Sequence, residues 1–160
     1  MAELEKVDFD AELLFVSAAL HDLGLLTQFD TGGPFERDSA RAAHEFAHRH
    51  GWPARKSDVA EQAIMLHVAP DVTPDHGSEA YLLWHATAVD VTGSRLDELP
   101  ASIITQVLSN YPRLDFATHF GDLLADQARQ KPDSRAAQRV AGGLLQRLKA
   151  CGLDQLSPGF

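Results

Sequence analysis

Residues 10–26 read DAELLFVSAALHDLGLL, and they indicate the fold more clearly than any other stretch of the chain. Apolar residues recur here at the three- and four-residue spacing of one helix face. Gly24 interrupts the pattern, and the segment TGGP at residues 31–34 ends it. The stretch therefore predicts an amphipathic helix with an adjacent His and Asp, His21 and Asp22, near its C-terminal end.

The same helical periodicity continues along the chain, and most segments end near a Gly or a Pro. No strand-like alternation of useful length, internal repeat or long linker interrupts it. We therefore predict an all-α fold in which residues 1–160 form a single helical bundle of six to seven helices. The predicted helices after the first span residues 38–50, 57–68, 78–91, 100–111, 115–130 and 134–150.

The composition excludes several classes of protein. The chain has 14 Lys+Arg against 23 Asp+Glu, and a net charge of −9 argues against electrostatic binding to nucleic acid or anionic membranes. The one cysteine, Cys151, cannot form an intramolecular disulfide, which favours a reducing compartment. No apolar run approaches the ~20 residues that span a bilayer, and the N-terminus is acidic where a signal peptide is basic. We predict a cytoplasmic protein with no nucleic-acid or membrane partner.

The His21-Asp22 pair is the first candidate for chemistry. An ionised Asp is costly to bury unless it is paired or bound to a metal. Both side chains can reach one cation beyond the end of the helix, the imidazole supplying a nitrogen ligand and the carboxylate an oxygen ligand. The alternative is a surface His beside an Asp that caps the following turn.

This pair and several further motifs resemble the HD-domain superfamily of metal-dependent hydrolases, and in particular the branch that is similar to cyanamide hydratase. The resemblance covers most of the chain, with the motifs in order. The motifs are FDAELLF at 9–15, LHDLG at 20–24, Phe35-Glu36, AIMLH at 63–67, VDVTG at 89–93 with Arg95, YPRLD at 111–115, and Lys131-Pro132.

The resemblance implies a metal-dependent enzyme that adds water to a small-molecule substrate. In such proteins the HD pair and a later Asp hold a divalent metal ion, which assigns His21, Asp22 and Asp90 as ligands of Fe, Mn or Zn. His67 matches a helix-borne His that is a second metal ligand or faces the substrate. Glu36 matches a residue that positions water or a substrate amine, although an acidic residue in a first helical turn also favours the helix dipole. We expect His67 and Glu36 to be catalytic, and the implied reaction is hydration of a nitrile-like carbon to an amide or urea.

The chain departs from this family before the HD pair. The family's first metal-binding His lies on a helix upstream, whereas no His precedes His21 here. We therefore expect an HD-like domain shortened by that helix, with weaker metal binding. Loss of the helix would expose an apolar face formed by Leu13, Val16 and Leu20, which favours a homodimer.

Two other functions stay open at this point. One is an HD-type phosphohydrolase that acts on a nucleotide or phosphomonoester, which requires a basic pocket. Near the predicted site the sequence offers only Arg95, with Arg113 and Lys131 further along, and Arg95 is expected to pair with a neighbouring carboxylate. The other is a degenerate HD fold that binds a ligand or partner without turnover.

The sequence also contains a competing metal motif, H-E-x-x-H, at residues 44–48. On a helix His44 and His48 share a face and could bind zinc, with Glu45 as general base. Arg49 follows the second His, and the helix is predicted to end at once at His50-Gly51. We therefore predict a solvated helix face here rather than a zinc site.

Overall fold

A computed structural model describes residues 7–156, with only the backbone of Gln155. All regular structure in this range is helical, which confirms the predicted all-α fold and agrees with a helical bundle. The α-helices are α1 Ala11–Leu20, α2 Phe35–Arg49, α3 Ala54–Leu66, α4 Ser78–Thr92, α5 Ala101–Asn110, α6 Phe116–Gln130, α7 Arg135–Ala141, α8 Leu144–Lys149 and α9 Gly152–Leu156. Short 3₁₀ turns occur at Leu23–Leu25, Pro74–His76 and Leu96–Glu98.

Three helices begin directly after a proline. Pro34, Pro53 and Pro100 precede α2, α3 and α5, each with φ near −58°. Proline lacks the N–H group that a first helical turn leaves unpaired, and its ring fixes φ near the helical value. Helices α2 and α3 therefore start three residues earlier than the predicted 38 and 57.

The segment predicted as one helix over 134–150 is two helices in the structure. Ser134 begins α7 by accepting a hydrogen bond from the backbone N–H of Ala137 at 3.2 Å. The break falls at Gly142-Gly143, where Gly143 has φ of 84°, a left-handed conformation that glycine adopts without steric cost. The prediction of a continuous helix is wrong because these two glycines allow the chain to turn and start α8.

Three apolar clusters hold the described residues together, and two of them position the site, while the third packs Leu108 against Cys151 and Leu153. The first lies where α2 and α3 pack against each other and against α4, and alanines such as Ala43 and Ala63, at 1% and 0% exposure, let the helix backbones approach closely. The second joins the start of α2 to α6, α7 and α8, with Phe35, Leu124 and Leu144 buried together. The C-terminal ends of α1 and α3 meet beside this second cluster.

The predicted exposed face on the first helix differs from the observed one. Leu13 is buried at 3% exposure, so its assignment to an exposed patch is wrong, and Val16 and Leu20 are partly buried. The large apolar residue that α1 does expose is Phe15, at 73%. Helix α1 packs on α3, α2 and α4, and these contacts cover the face that carries Leu13. None of the helices described has the length and apolar composition needed to cross a membrane.

Candidate metal centre

Two histidines cap the ends of two different helices in the same way. His21 and His67 are the residues directly after α1 and α3, and both keep a helical backbone conformation. Nδ1 of His21 lies 2.7 Å from the carbonyl oxygen of Ala18, and Nδ1 of His67 lies 2.5 Å from that of Ile64. Because a carbonyl oxygen only accepts hydrogen bonds, Nδ1 carries the proton in both rings. Each Nε2 is therefore the atom presented to the pocket.

Asp22 lies between the two rings. Its Oδ2 is 3.0 Å from Nε2 of His21, and its Oδ1 is 3.4 Å from Nε2 of His67. The ring centroids of the two histidines are 4.9 Å apart, in an edge-to-face arrangement. The ligand atoms of the three side chains all lie within 4.8 Å of one another. Asp22 makes no side-chain cap on the following 3₁₀ turn, so the capping alternative for this residue is wrong.

The electrostatics of this cluster call for a positive charge. With Nδ1 protonated, a neutral imidazole directs its Nε2 lone pair at the Asp22 carboxylate, which is repulsive unless a proton or a cation lies between them. Burial alone would lower the pKa of His21, but the hydrogen bond and charge of Asp22 outweigh it and raise that pKa. Burial alone would raise the pKa of Asp22, but the two imidazoles hold it well below its usual range. Within the described residues, Oδ1 of Asp22 is buried without a hydrogen-bond donor.

The cluster opens into a cavity of about 210 Å³. Phe35 is 2% exposed, and its ring meets that of His67 edge to face at 5.7 Å, which fixes one wall. The other apolar lining residues are Val68, Trp84, Ala88, Val91, Phe120, Leu124, Ala136 and Leu144. The polar lining residues besides the cluster are Thr87, Thr92, Ser94, Arg139 and Arg147.

Sequence reasoning missed Arg139 and Arg147. These residues lie on either side of the Gly142-Gly143 break, and a continuous helix would have carried Arg147 away along its axis. Gly142-Gly143 was the signal in the sequence that the helix ends here and that the chain turns. Of the basic residues that the sequence offers, Arg95 forms an ion pair with Glu98 at 2.6 Å, as expected.

The predicted third ligand, Asp90, lies beside the cluster rather than in it. It is carried by α4, its side chain is 56% exposed, and its Oδ1 is 2.5 Å from Nη1 of Arg113. The Arg113 side chain is buried and also pairs with Asp154. Burial would lower the pKa of Arg113, but these two carboxylates outweigh it and raise that pKa. Asp90 adds a further small rise to the pKa of His21.

Glu36 is not brought to this cavity. It lies in the first turn of α2 at 4% exposure, and it lines a different pocket together with Met65, Ser134 and Arg135. Its Oε2 is buried without a hydrogen-bond partner among the described residues. The structure therefore separates Glu36 from His67, the other residue predicted to be catalytic.

The H-E-x-x-H motif lies on the exposed side of α2. Nδ1 of His44 is 3.3 Å from Oε2 of Glu61 on α3, and Glu45 pairs with Arg41 at 2.7 Å. In the part of the chain that the structure describes, His21, Asp22 and His67 are the group with metal-ligand geometry, and this motif is not. The predicted solvated helix face is confirmed.

Comparison with known proteins adds little beyond this geometry. No family model matches the chain. A 63-residue stretch is 29% identical to an uncharacterized protein of Clostridium beijerinckii (strain ATCC 51743 / NCIMB 8052), and the match covers 39% of this chain and 40% of the relative. The chain thus matches about two fifths of the length of that relative.

Proposed function

We propose that the chain binds a divalent metal ion through His21, Asp22 and His67 and adds water to a small molecule held in the adjoining cavity. The observation that carries this proposal is the convergence of three ligand atoms within 4.8 Å. Both ring orientations are fixed by backbone carbonyls, an arrangement that commonly supports metal-binding histidines. In this proposal His67 takes the ligand position that the sequence assigned to Asp90.

The donor set and its spacing fit such an ion. Two donors about 2.1 Å from one ion are about 3.0 Å apart in octahedral and about 3.4 Å apart in tetrahedral geometry. The contacts of Asp22 with the histidines, 3.0 Å at Oδ2 and 3.4 Å at Oδ1, fall at these separations, so an ion that binds both imidazoles would face both carboxylate oxygens. Two imidazole nitrogens and a carboxylate oxygen suit Fe, Mn or Zn and leave positions open for water or substrate. A cation would also satisfy the buried Oδ1 of Asp22.

The protein's own residues do the remaining work of the site. The carbonyls of Ala18 and Ile64 hold the imidazole rings, so that Nε2 of each faces the cavity. Asp22 supplies the negative charge between them, and apolar side chains that include Phe35 line the adjoining cavity. A divalent ion bound there would lower the pKa of a water molecule or polarise the substrate. Glu36 takes no part, because it lines another pocket.

The size of the cavity favours a small substrate. Its volume of about 210 Å³ lies below the ~300–1,000 Å³ that is usual for drug-sized ligands. The resemblance to cyanamide hydratase implies a nitrile-like compound, and the volume is compatible with a molecule of that size.

Metal analysis of the purified protein tests the proposal. After tag removal and incubation with Fe²⁺, Mn²⁺ or Zn²⁺, wild-type protein should retain about one ion per chain. His21→Ala, Asp22→Asn and His67→Ala should each lose it. His48→Ala is the matched control, since His48 is an exposed His on α2, outside the cluster, and should bind as wild type does.

Activity follows from the same samples. The loaded protein is assayed for urea formation from cyanamide and for hydrolysis of p-nitrophenyl phosphate, and turnover of either should disappear with the three cluster variants. Wild-type protein that retains no metal, or cluster variants that retain as much as His48→Ala, would overturn the proposal.

A further inference from the structure

Two arginines line the cavity from two consecutive helices, one on each side of the Gly142-Gly143 turn. Arg139 belongs to α7 and Arg147 to α8, and both line the cavity with His21, Asp22 and His67. The left-handed Gly143 turns the chain between them. Nη1 of Arg147 donates to the carbonyl oxygen of Gly142 at 2.8 Å, which ties this side chain to the turn.

The pair carries positive charge without a matching counter-ion in the described residues. Elsewhere in the fold, Arg113 and Arg129 form ion pairs with carboxylates at 2.5 Å and 2.6 Å. No carboxylate lies within ion-pair distance of Arg139 or Arg147 in the range that the structure describes. Burial and the charge of Arg147 both lower the pKa of Arg139, and only Asp22 opposes them.

The negative charge of Asp22 also interacts with the two histidines. Its carboxylate contacts both imidazoles, so it offers little compensation to the arginines. Occupation of the cluster by a divalent cation would neutralise it further. The cavity of this acidic protein would then have an excess of positive charge, which raises the local concentration of anions.

Two of the three hydroxyl groups in the wall, those of Thr87 and Thr92, do not compete with the arginines as donors. The hydroxyl of Thr87 donates to the carbonyl of Trp84 at 2.9 Å, and that of Thr92 donates to the carbonyl of Ala88 at 2.7 Å. Their protons are thus committed to the backbone. Guanidinium groups present several N–H donors in a planar fork that matches carboxylate and phosphate oxygens.

We propose that Arg139 and Arg147 bind an oxyanion group of the substrate, a carboxylate or a phosphate, and so present its reacting end to His21, Asp22 and His67. The orientation of the reacting end rests on the proposed function, whereas anion binding by the two arginines does not require the metal. The substrate would then carry a negatively charged group, unlike the simple nitrile-like compound that the resemblance implies.

Calorimetric titration with inorganic phosphate and with acetate tests the pair, using metal-free and Zn²⁺-loaded protein. Phosphate or acetate should bind wild type in both states, and Arg139→Met and Arg147→Met should each weaken binding by about tenfold or more. Arg129→Met is the control, because Arg129 is an exposed arginine on α6 that pairs with Asp126 and does not line the cavity. Since Arg147 is exposed, its substitution tests the inference even if Arg139→Met does not fold.

The outcomes separate the two proposals. Tighter binding of phosphate indicates a phosphate-bearing substrate, and tighter binding of acetate a carboxylate-bearing one. Anion binding that depends on the arginines in a protein that takes up no metal would refute the proposed function and support the arginine pair. The inference is overturned if neither anion binds. It is also overturned if binding survives both arginine substitutions, or if binding occurs only in the Zn²⁺-loaded protein.

Discussion

Gly24 provides a direct test of how the fold positions the candidate metal centre. It follows the His21-Asp22 pair by two residues, in the 3₁₀ turn Leu23–Leu25. A Cβ atom built on Gly24 would lie 2.0 Å from the carbonyl oxygen of Phe35 and 3.0 Å from Cβ of Asp38. The backbone N–H of Gly24 donates to Oγ of Ser39 at 2.8 Å. The turn after the HD pair is therefore in backbone contact with the start of α2.

Gly24→Ala should separate these two segments. Ordinary contact with the Phe35 carbonyl requires a shift of about 1.4 Å, and overpacking of this kind costs about 1–3 kcal/mol. Stretching the buried hydrogen bond to Ser39 adds about 1 kcal/mol. A total loss of about 3 kcal/mol in the free energy of unfolding corresponds to a fall in Tm of about 6–12 °C for a chain of this length.

Metal binding should weaken in the same variant. Phe35 follows Pro34 at the start of α2, and its ring contacts that of His67, so displacement of the α2 start moves the wall of the cluster. Gly33→Ala is the matched control, because a Cβ there meets nothing within 4 Å. Thermal unfolding and metal content are measured for both variants. If Gly24→Ala keeps the Tm and metal content of Gly33→Ala, the close approach does not fix the site.

Three further predictions concern pH, the α7–α8 turn and association. The pKa of His21 is raised in the folded protein, so His21 stabilises the metal-free protein fully below its unfolded pKa of 6.5, and this contribution is lost as the pH rises through the folded pKa. Chemical unfolding at pH 5–9 should show this loss of stability in wild type and not in His21→Asn. Metal affinity should instead rise over the same range, since protons compete for Nε2. Gly143→Ala should cost about 1–2 kcal/mol, because φ of 84° strains an L-residue, and it should weaken phosphate binding in calorimetry; unchanged values would show that the turn does not orient Arg147. If the exposed Phe15 on α1 contributes to a homodimer, Phe15→Ser should lower the mass in light scattering, whereas a monomeric wild type would refute the predicted association.

The fold class was predictable because helical periodicity is a local property. Apolar spacing located α1 through α6, and the errors fell where single residues decide the backbone. Pro34 and Pro53 start their helices three residues before the apolar pattern does. At Gly142-Gly143 the apolar spacing continues across a point where the backbone turns, so periodicity alone extended the helix through it.

The site was predictable residue by residue but not as an arrangement. His21, Asp22 and His67 stood out by chemistry and by resemblance, yet nothing in the spacing of residues 21 and 67 states that the ends of α1 and α3 meet. That meeting follows from the packing of α1 on α3, a contact between distant parts of the chain that helical periodicity does not encode. Asp90 pairs with Arg113 instead of joining the cluster, and Arg113 lies 23 positions further along the chain.

The two histidines also show why the end of a helix suits this cluster. The last four carbonyls of an α-helix have no N–H partner four residues later within the helix, and a residue just past the last turn lies three positions after one of them. His21 and His67 each use that carbonyl to bind Nδ1, so the backbone fixes the orientation of the ring. The helix C-terminus adds negative partial charge, which favours a cation or a protonated imidazole near it. With two such ends meeting around Asp22, the backbone and the carboxylate both favour positive charge at one point, and the proposed metal ion would supply that charge at a pH where the imidazoles are neutral.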